Sequence, residues 1–310
     1  MESQLITSII SATIICGTPL IIVAIGTLVA EKSGVLNLGA EGMMSVGAIA
    51  AFAVAFSGGS PFFAVLAGMA AGCAMSLLFG FLTLTMLANQ VASGLALAIF
   101  GVGLSAFIGK PFESAPIDIV PSIRIPFLAD IPVIGPALFN HQSLVYFSWL
   151  LVAAVIWFLY RSRWGLVLRA VGESPTAAHS VGYKVNVLRY AAVAFGGAMA
   201  GIGGAYMSVY YTPLWAEGMV AGRGWIALAL VVFATWRPMR VVLGAYLFGG
   251  VMISQLFVQG SGLKLEVPAQ FLSALPYAAT IIVLVVISRN ANTIRLNSPA
   301  SLGQPYRADS

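Results

Sequence analysis

The chain has 310 residues, of which 60% are apolar and only 8% charged, with a formal net charge of +5; its mean hydropathy is +0.97. A soluble domain carries about 25% charged residues, so this composition excludes one. The apolar stretches are also continuous, which argues against an outer-membrane barrel, whose strands alternate over about ten residues. The reading is an all-α, polytopic membrane helix bundle. Its basic residues lie between apolar runs rather than on one soluble face, so they point to membrane topology and not to nucleic acid.

The N-terminus, MESQLITSII, has neither a basic n-region nor an A-x-A-like site, and its apolar run continues to residue 30, which predicts an uncleaved first span. Runs near the roughly 20 residues needed to cross a bilayer predict about nine helices. They fall at 6–30, 38–57, 62–87, 91–109, 142–160, 189–211, 218–236, 241–258 and 268–288. Residues 1–288 are thus read as one transmembrane domain. Cys16 and Cys73 fall inside apolar runs and read as small core side chains rather than a disulfide framework. The 110–141 loop holds Pro111, Pro116, Pro121, Pro126, Pro132 and Pro136, which disfavours a long helix and leaves either a connector or a docking rim. Glycines 196, 197, 201, 203 and 204 predict close helix packing, with a moving joint as the alternative. The polar tail, 289–310, is expected to be loosely ordered.

Orientation follows from the cations. Residues 161–188 with Arg189 carry Arg161, Arg163, Arg169, Lys184 and Arg189 against a single Glu173, which places them in the cytoplasm. Alternation then gives an N-out/C-in topology, with 110–141 extracytoplasmic and the tail inside. Within the basic loop, RAVGESPTAAHSVGYKV (169–185) carries a helix-start signal at Ser174-Pro175 and a left-handed stop at Gly182. The predicted helix, 175–181, is too short to stand alone. Ala177 and Ala178 permit close approach of another surface.

The order Gly172-Glu173, Ala177-Ala178, Gly182 resembles the E-A-A-x-x-x-G coupling motif of ABC importer permeases. The spacing, with Ser-Pro-Thr after Glu173, is that of the branched-chain amino acid, ribose and nucleoside permease family. SGVLNLGAEGMM (33–44) and AGRGWIALALVVFATWRP (221–238) are similar to its nucleoside-type members, and the resemblance spans about residues 15–288. It implies that 161–188 is a cytoplasmic coupling loop in which Arg169, Gly172, Glu173, Ala177, Ala178 and Gly182 meet a separate ATPase subunit. It further implies a second, paralogous permease subunit, an extracytoplasmic solute-binding protein, a nucleoside-like solute and a bacterial plasma membrane. The chain has no G-x-x-x-x-G-K-[ST] phosphate loop, so ATP is expected on the partner and no cofactor on this chain.

Charges inside a span are costly and mark functional candidates, here Glu41 and Arg223. Gly222-Arg223-Gly224 leaves only thirteen residues to Trp236, so the seventh span is expected to break there, or Arg223 to reach the interface instead. A nucleoside-like solute would be met by Asn37, Asn89, Gln90 and Ser93 through hydrogen bonds and by Trp225 or Phe100 through stacking, with Glu41 and Arg223 as the charged groups of the pathway. Simple alternation sets Glu41 near the inside and Arg223 near the outside unless 34–42 re-enters. Three other readings stay open: an ion-coupled secondary transporter using Glu41 and Arg223, or an ABC permease for a sugar or for a branched-chain amino acid. A membrane enzyme is disfavoured because His141 and His179 lie far apart and no metal-binding motif is present, so neither catalytic nor metal residues are expected.

Overall fold

The computed structural model of the chain describes residues 2–113, 115–129, 131, 134–260, 278, 285 and 297–307. The long apolar runs form α1 (Glu2–Lys32), α2 (Ala40–Phe56), α3 (Pro61–Gly80), α4 (Gln90–Gly109), α6 (Ser143–Arg161), α9 (Val185–Ala205) and α11 (Pro238–Gly260). Shorter helices intervene at α5 (Ile134–Leu138), α7 (Arg163–Glu173), α8 (Pro175–Ser180) and α10 (Arg223–Phe233). α3 and α9 each end in a π-helical turn, Phe81–Thr85 and Tyr206–Tyr211.

Among the described residues six helices are long and apolar enough to cross a membrane, while Ala40–Phe56 and Arg223–Phe233 are shorter. The expected spans 38–57 and 218–236 are therefore these shorter helices. The expected span 268–288 and the 259–267 loop lie outside the described residues, apart from 259, 260, 278 and 285. Phe62, Ile99, Phe107 and Leu150 are two-thirds or more exposed, as side chains facing lipid would be.

The centre of the bundle is α1 against α9, with α2 and α3 packed on the other side of α9. Backbone meets backbone there. A Cβ on Gly201 would collide with the carbonyl of Gly68, and one on Gly197 with Ser76, so α9 approaches α3 as closely as small residues allow. The expectation of packing for this glycine run agrees with the contacts.

α1 runs for 31 residues through Pro19. Proline has no amide hydrogen, which leaves the carbonyl of Ile15, four residues earlier, without its helical donor. The hydroxyl of Tyr206 donates to that carbonyl at 3.1 Å, and Thr18 Oγ1 donates to Ile14 O at 2.8 Å. The Tyr206 hydroxyl thus satisfies the one carbonyl that the proline frees, as a low-dielectric setting requires.

Among its described residues the proline-rich loop forms no long helix. It holds β1 (Ile123–Arg124), paired antiparallel with β2 (Asn140–His141), and the one-turn α5. Gln142 Nε2 fastens it by donating to Val120 O at 3.1 Å and Tyr210 O at 3.2 Å.

The tail differs from expectation. Residues 297–307 are packed rather than loose, with Ser301 and Tyr306 buried. Three prolyl and glycyl positions, Pro299, Gly303 (φ +77°) and Pro305, keep it out of a helix and let its backbone donate to other segments.

Candidate functional site

α10 begins where the chain turns through Ala221 (φ +42°) and Gly222 (φ +81°). Eleven residues rise about 16 Å, roughly half of a 30 Å hydrocarbon layer. The expected break at Gly222-Arg223-Gly224 is present, since Gly222 caps the helix and Arg223 is its first residue.

The amides exposed by that break are taken up by Glu41. Its Oε1 accepts from Gly222 N at 2.7 Å and its Oε2 from Gly224 N at 2.8 Å. Glu41 also stands in the first turn of α2, so one carboxylate serves two helix N-termini, where negative charge is favoured. Gly224 lets the helix start touch the Glu41 backbone, because a Cβ there would lie 2.6 Å from Glu41 Cα. Two of the three stretches that carried the sequence resemblance, 33–44 and 221–238, therefore meet.

This geometry corrects the simple alternation of levels. Residues 33–39 between α1 and α2 are non-helical and mostly buried, and they bring Glu41 to the level of Arg223. The two charges still do not pair. Arg223 Nη1 donates to Met219 O at 3.0 Å and Val220 O at 3.5 Å, and its guanidinium lies 5.5 Å from the Tyr211 ring centre.

Beside Glu41 lies a cavity of about 160 Å³, lined by Glu41, Ser45, Ala48, Ser105, Trp215 and Met219 among others. Of the predicted pathway residues only Glu41 lines it. Asn37 instead makes a turn, its Oδ1 accepting from Gly39 N at 2.8 Å. Asn89 caps α4 by accepting from Ala92 N at 3.0 Å, and its carbonyl accepts from Ser93 N at 2.9 Å. Gln90 Oε1 accepts from Leu36 N at 2.8 Å. Trp225 is partly exposed on α10. These side chains fold the 33–39 linker and cap helices, as short amides at non-helical backbone do. Sequence reasoning missed Ser45, Ser105 and Trp215. The i, i+4 spacing of Glu41 and Ser45 was the available signal.

The basic loop forms a second feature. Ser162 Oγ accepts from Gly165 N at 2.9 Å and starts α7; Ser174 Oγ accepts from Ala177 N at 3.3 Å and caps α8, whose first residue is Pro175. Gly182 (φ +94°) follows the helix as the sequence predicts. α8 is held by its neighbours, with Ala178 buried among Val171, Val185 and Tyr306. Ala177, His179, Val181 and Glu173 are exposed.

The structure separates residues that the sequence grouped. Gly172 is buried, and a Cβ on it would meet the carbonyl of Lys32. Arg169 lies 5.4 Å from the Tyr160 ring centre. Arg189, counted with the loop's cytoplasmic cations, is fully buried. Its guanidinium donates to Ser33 O at 3.2 Å, Gln304 O at 3.4 Å and Ser301 Oγ at 3.1 Å. A buried cation needs such donors satisfied, and the sequence placed no acceptors near it.

Comparison with known proteins shows the family of the chain. A family profile described as "Branched-chain amino acid transport system / permease component" matches residues 9–286. A putative glucose ABC transporter permease protein of Haloferax volcanii is 39% identical over 97% of this chain and 98% of its own length. A nucleoside ABC transporter permease protein of Lactococcus lactis is 35% identical over 90% of this chain and 91% of its own. A guanosine ABC transporter permease protein of Bacillus subtilis is 34% identical over 98% and 97%. No solved structure matches the chain.

Proposed function

The chain belongs to the branched-chain amino acid transport system permease family, and from that premise we propose that it forms half of an ATP-driven import pathway for a nucleoside-like solute. The orientation in this reading is N-out/C-in with about nine crossings in a plasma membrane. The second half is a paralogous permease, the solute arrives on an extracytoplasmic binding protein, and ATP is bound by a separate subunit.

The observation that carries the reading is α8. It is one short capped helix whose outer side presents Ala177, His179 and Val181 beside Glu173, on a chain that has no phosphate loop of its own. Ala177 and the exposed Val181 suit contact with another protein, and Glu173 adds a charge to that contact. Movement of α8 by the ATPase would bias two arrangements of the bundle.

For the solute, the support is the cavity beside Glu41 and the names of two relatives, one for nucleosides and one for guanosine. Trp215 offers an aromatic face and Ser45 and Ser105 offer hydroxyls, a combination suited to a base and a ribose. Glucose is the second reading, favoured by the Haloferax volcanii relative.

The test is uptake by the purified complex in vesicles. Under this reading transport requires ATP and the ATPase subunit, and survives collapse of ion gradients. Uptake that follows an ion gradient without nucleotide would replace it with secondary transport. Labelled guanosine challenged with excess unlabelled glucose, and the converse, separates the two solutes.

A further inference from the structure

The packed tail joins α8 to the 33–39 linker, alongside the start of α9, whose Val185 packs by Ala178 and whose Arg189 bonds Ser33. At one end, Tyr306 is buried against Ala178 of α8, with Val171 and Val185 around it, and its ring centre lies 6.3 Å from that of His179. At the other end, Gly303 N donates to Gly34 O at 3.1 Å and Lys32 Nζ donates to Asn297 O at 2.6 Å. Between them Ser301 donates twice to Gly172 O, from Oγ at 2.7 Å and from N at 3.0 Å. Arg189 locks the middle through Ser301 Oγ and Gln304 O, with its guanidinium 5.9 Å from the Tyr306 ring centre.

Gly303 and Tyr306 are three residues apart, so the span between the 33–39 linker and α8 is a short, nearly inextensible piece of chain. The linker itself leads directly to Glu41, which holds the start of α10. Displacing α8 without displacing the linker would expose buried Tyr306 and break bonds to Gly34, Gly172 and Arg189. Moving α8 and the linker together with the ends of α7 and α9 that carry Gly172 and Arg189 keeps them.

We propose that residues 297–306 are a strap that carries the displacement of α8 to the 33–39 linker and so to Glu41 and the broken helix. Ser301 and Tyr306 are positioning residues in this device: they touch neither solute nor nucleotide, and act through α8 and the linker. The proposal rests on the reading of α8 as the ATPase contact.

The experiment measures solute taken up per ATP hydrolysed by the complete complex in vesicles, for wild type, Tyr306→Ala, Tyr306→Phe and Ser301→Ala. The Tyr306 hydroxyl is buried with no hydrogen-bond partner among the described residues, so Tyr306→Phe should match wild type. Tyr306→Ala should retain the ATPase subunit and hydrolysis within about twofold while uptake per ATP falls about tenfold or more, a fall set by the size of a 1.4 kcal/mol change in coupling. Ser301→Ala, a smaller change that leaves the packing in place, should move the ratio in the same direction and decides the matter if Tyr306→Ala fails to assemble. An unchanged ratio in an assembled variant overturns the strap. Loss of the ATPase subunit, or equal loss of hydrolysis and uptake, also overturns it and leaves the tail only a support for α8. Failure of the wild-type chain to bind an ATPase subunit would instead remove the functional reading beneath it.

Discussion

Glu41 accepts the amide of Gly224 at 2.8 Å across 183 residues of sequence. The same half-helix is held at its other end by a second carboxylate. Trp236 Nε1 donates to Glu31 Oε2 at 2.6 Å, just past the helix, where Thr235 and Trp236 adopt φ of 50° and 52°. Two acidic residues ten positions apart therefore hold both ends of α10, and the strained left-handed pair persists because surrounding contacts over-determine it.

Removing the Glu41 carboxylate should be costly in itself. Glu41→Ala orphans two amides in a water-poor site, at about 1–3 kcal/mol each. Glu41→Gln keeps one acceptor and should lose about half as much. Denaturant-induced unfolding of the purified chain in detergent measures both. Equal stability of all three proteins would mean that water replaces the carboxylate and that α10 is not held this way.

Tyr206 and Pro19 give a paired prediction. Tyr206→Phe leaves the Ile15 carbonyl without a donor and should cost about 1–2 kcal/mol. In a Pro19→Ala background the helix can supply its own amide to Ile15, so the same substitution should cost close to nothing. A double-mutant cycle on unfolding free energies reads the difference. The same cost in both backgrounds would assign Tyr206 its packing alone.

How far the sequence reached depends on whether a contact is local. Ser174, Pro175 and Gly182 announce α8 because a cap, a first-turn proline and a left-handed stop act within a few residues. The break at Gly222 was legible for the same reason. By contrast, Asn37, Asn89 and Gln90 read as solute ligands because an amide in an apolar run says only that it needs a partner. Asn37 and Asn89 in fact bond locally, to Gly39 N and Ala92 N, a turn and a cap that short spacing could have announced; of the three only Gln90 meets a distant partner, Leu36 N, 54 residues away on the linker. Arg189 and the tail were opaque in the same way, since their contacts to Ser33 and Gly172 cross more than a hundred residues.

The two alanines of α8 should now behave differently. Ala177 is exposed and Ala178 buried against Tyr306. Ala177→Trp should leave the melting temperature of the chain unchanged and abolish co-purification of the ATPase subunit. Ala178→Leu should overpack the cluster and destabilise by about 1–3 kcal/mol. If Ala177→Trp binds the ATPase normally, the outer side of α8 is not the contact surface.

The proline-rich loop should loosen in acid, and His141 is the reason. It is buried, its Nε2 donates to Ala137 O at 2.8 Å, and its ring packs edge-on to Trp149. Burial holds the imidazole below its usual value, against a smaller opposing effect of the Ala137 carbonyl. Protonation would add a hydrogen at Nδ1, which is buried with no partner among the described residues. Because the unfolded imidazole titrates near 6.5, the opened loop binds the proton first as pH falls. The stabilisation is therefore complete above about pH 6.5 and is lost as pH falls from there through the folded value. Hydrogen exchange of residues 134–142 should accelerate between pH 7.5 and pH 5 beyond the chemical rate, and His141→Gln should remove that excess. Exchange that tracks only the chemical rate in wild type would show that the loop is held independently of this ring.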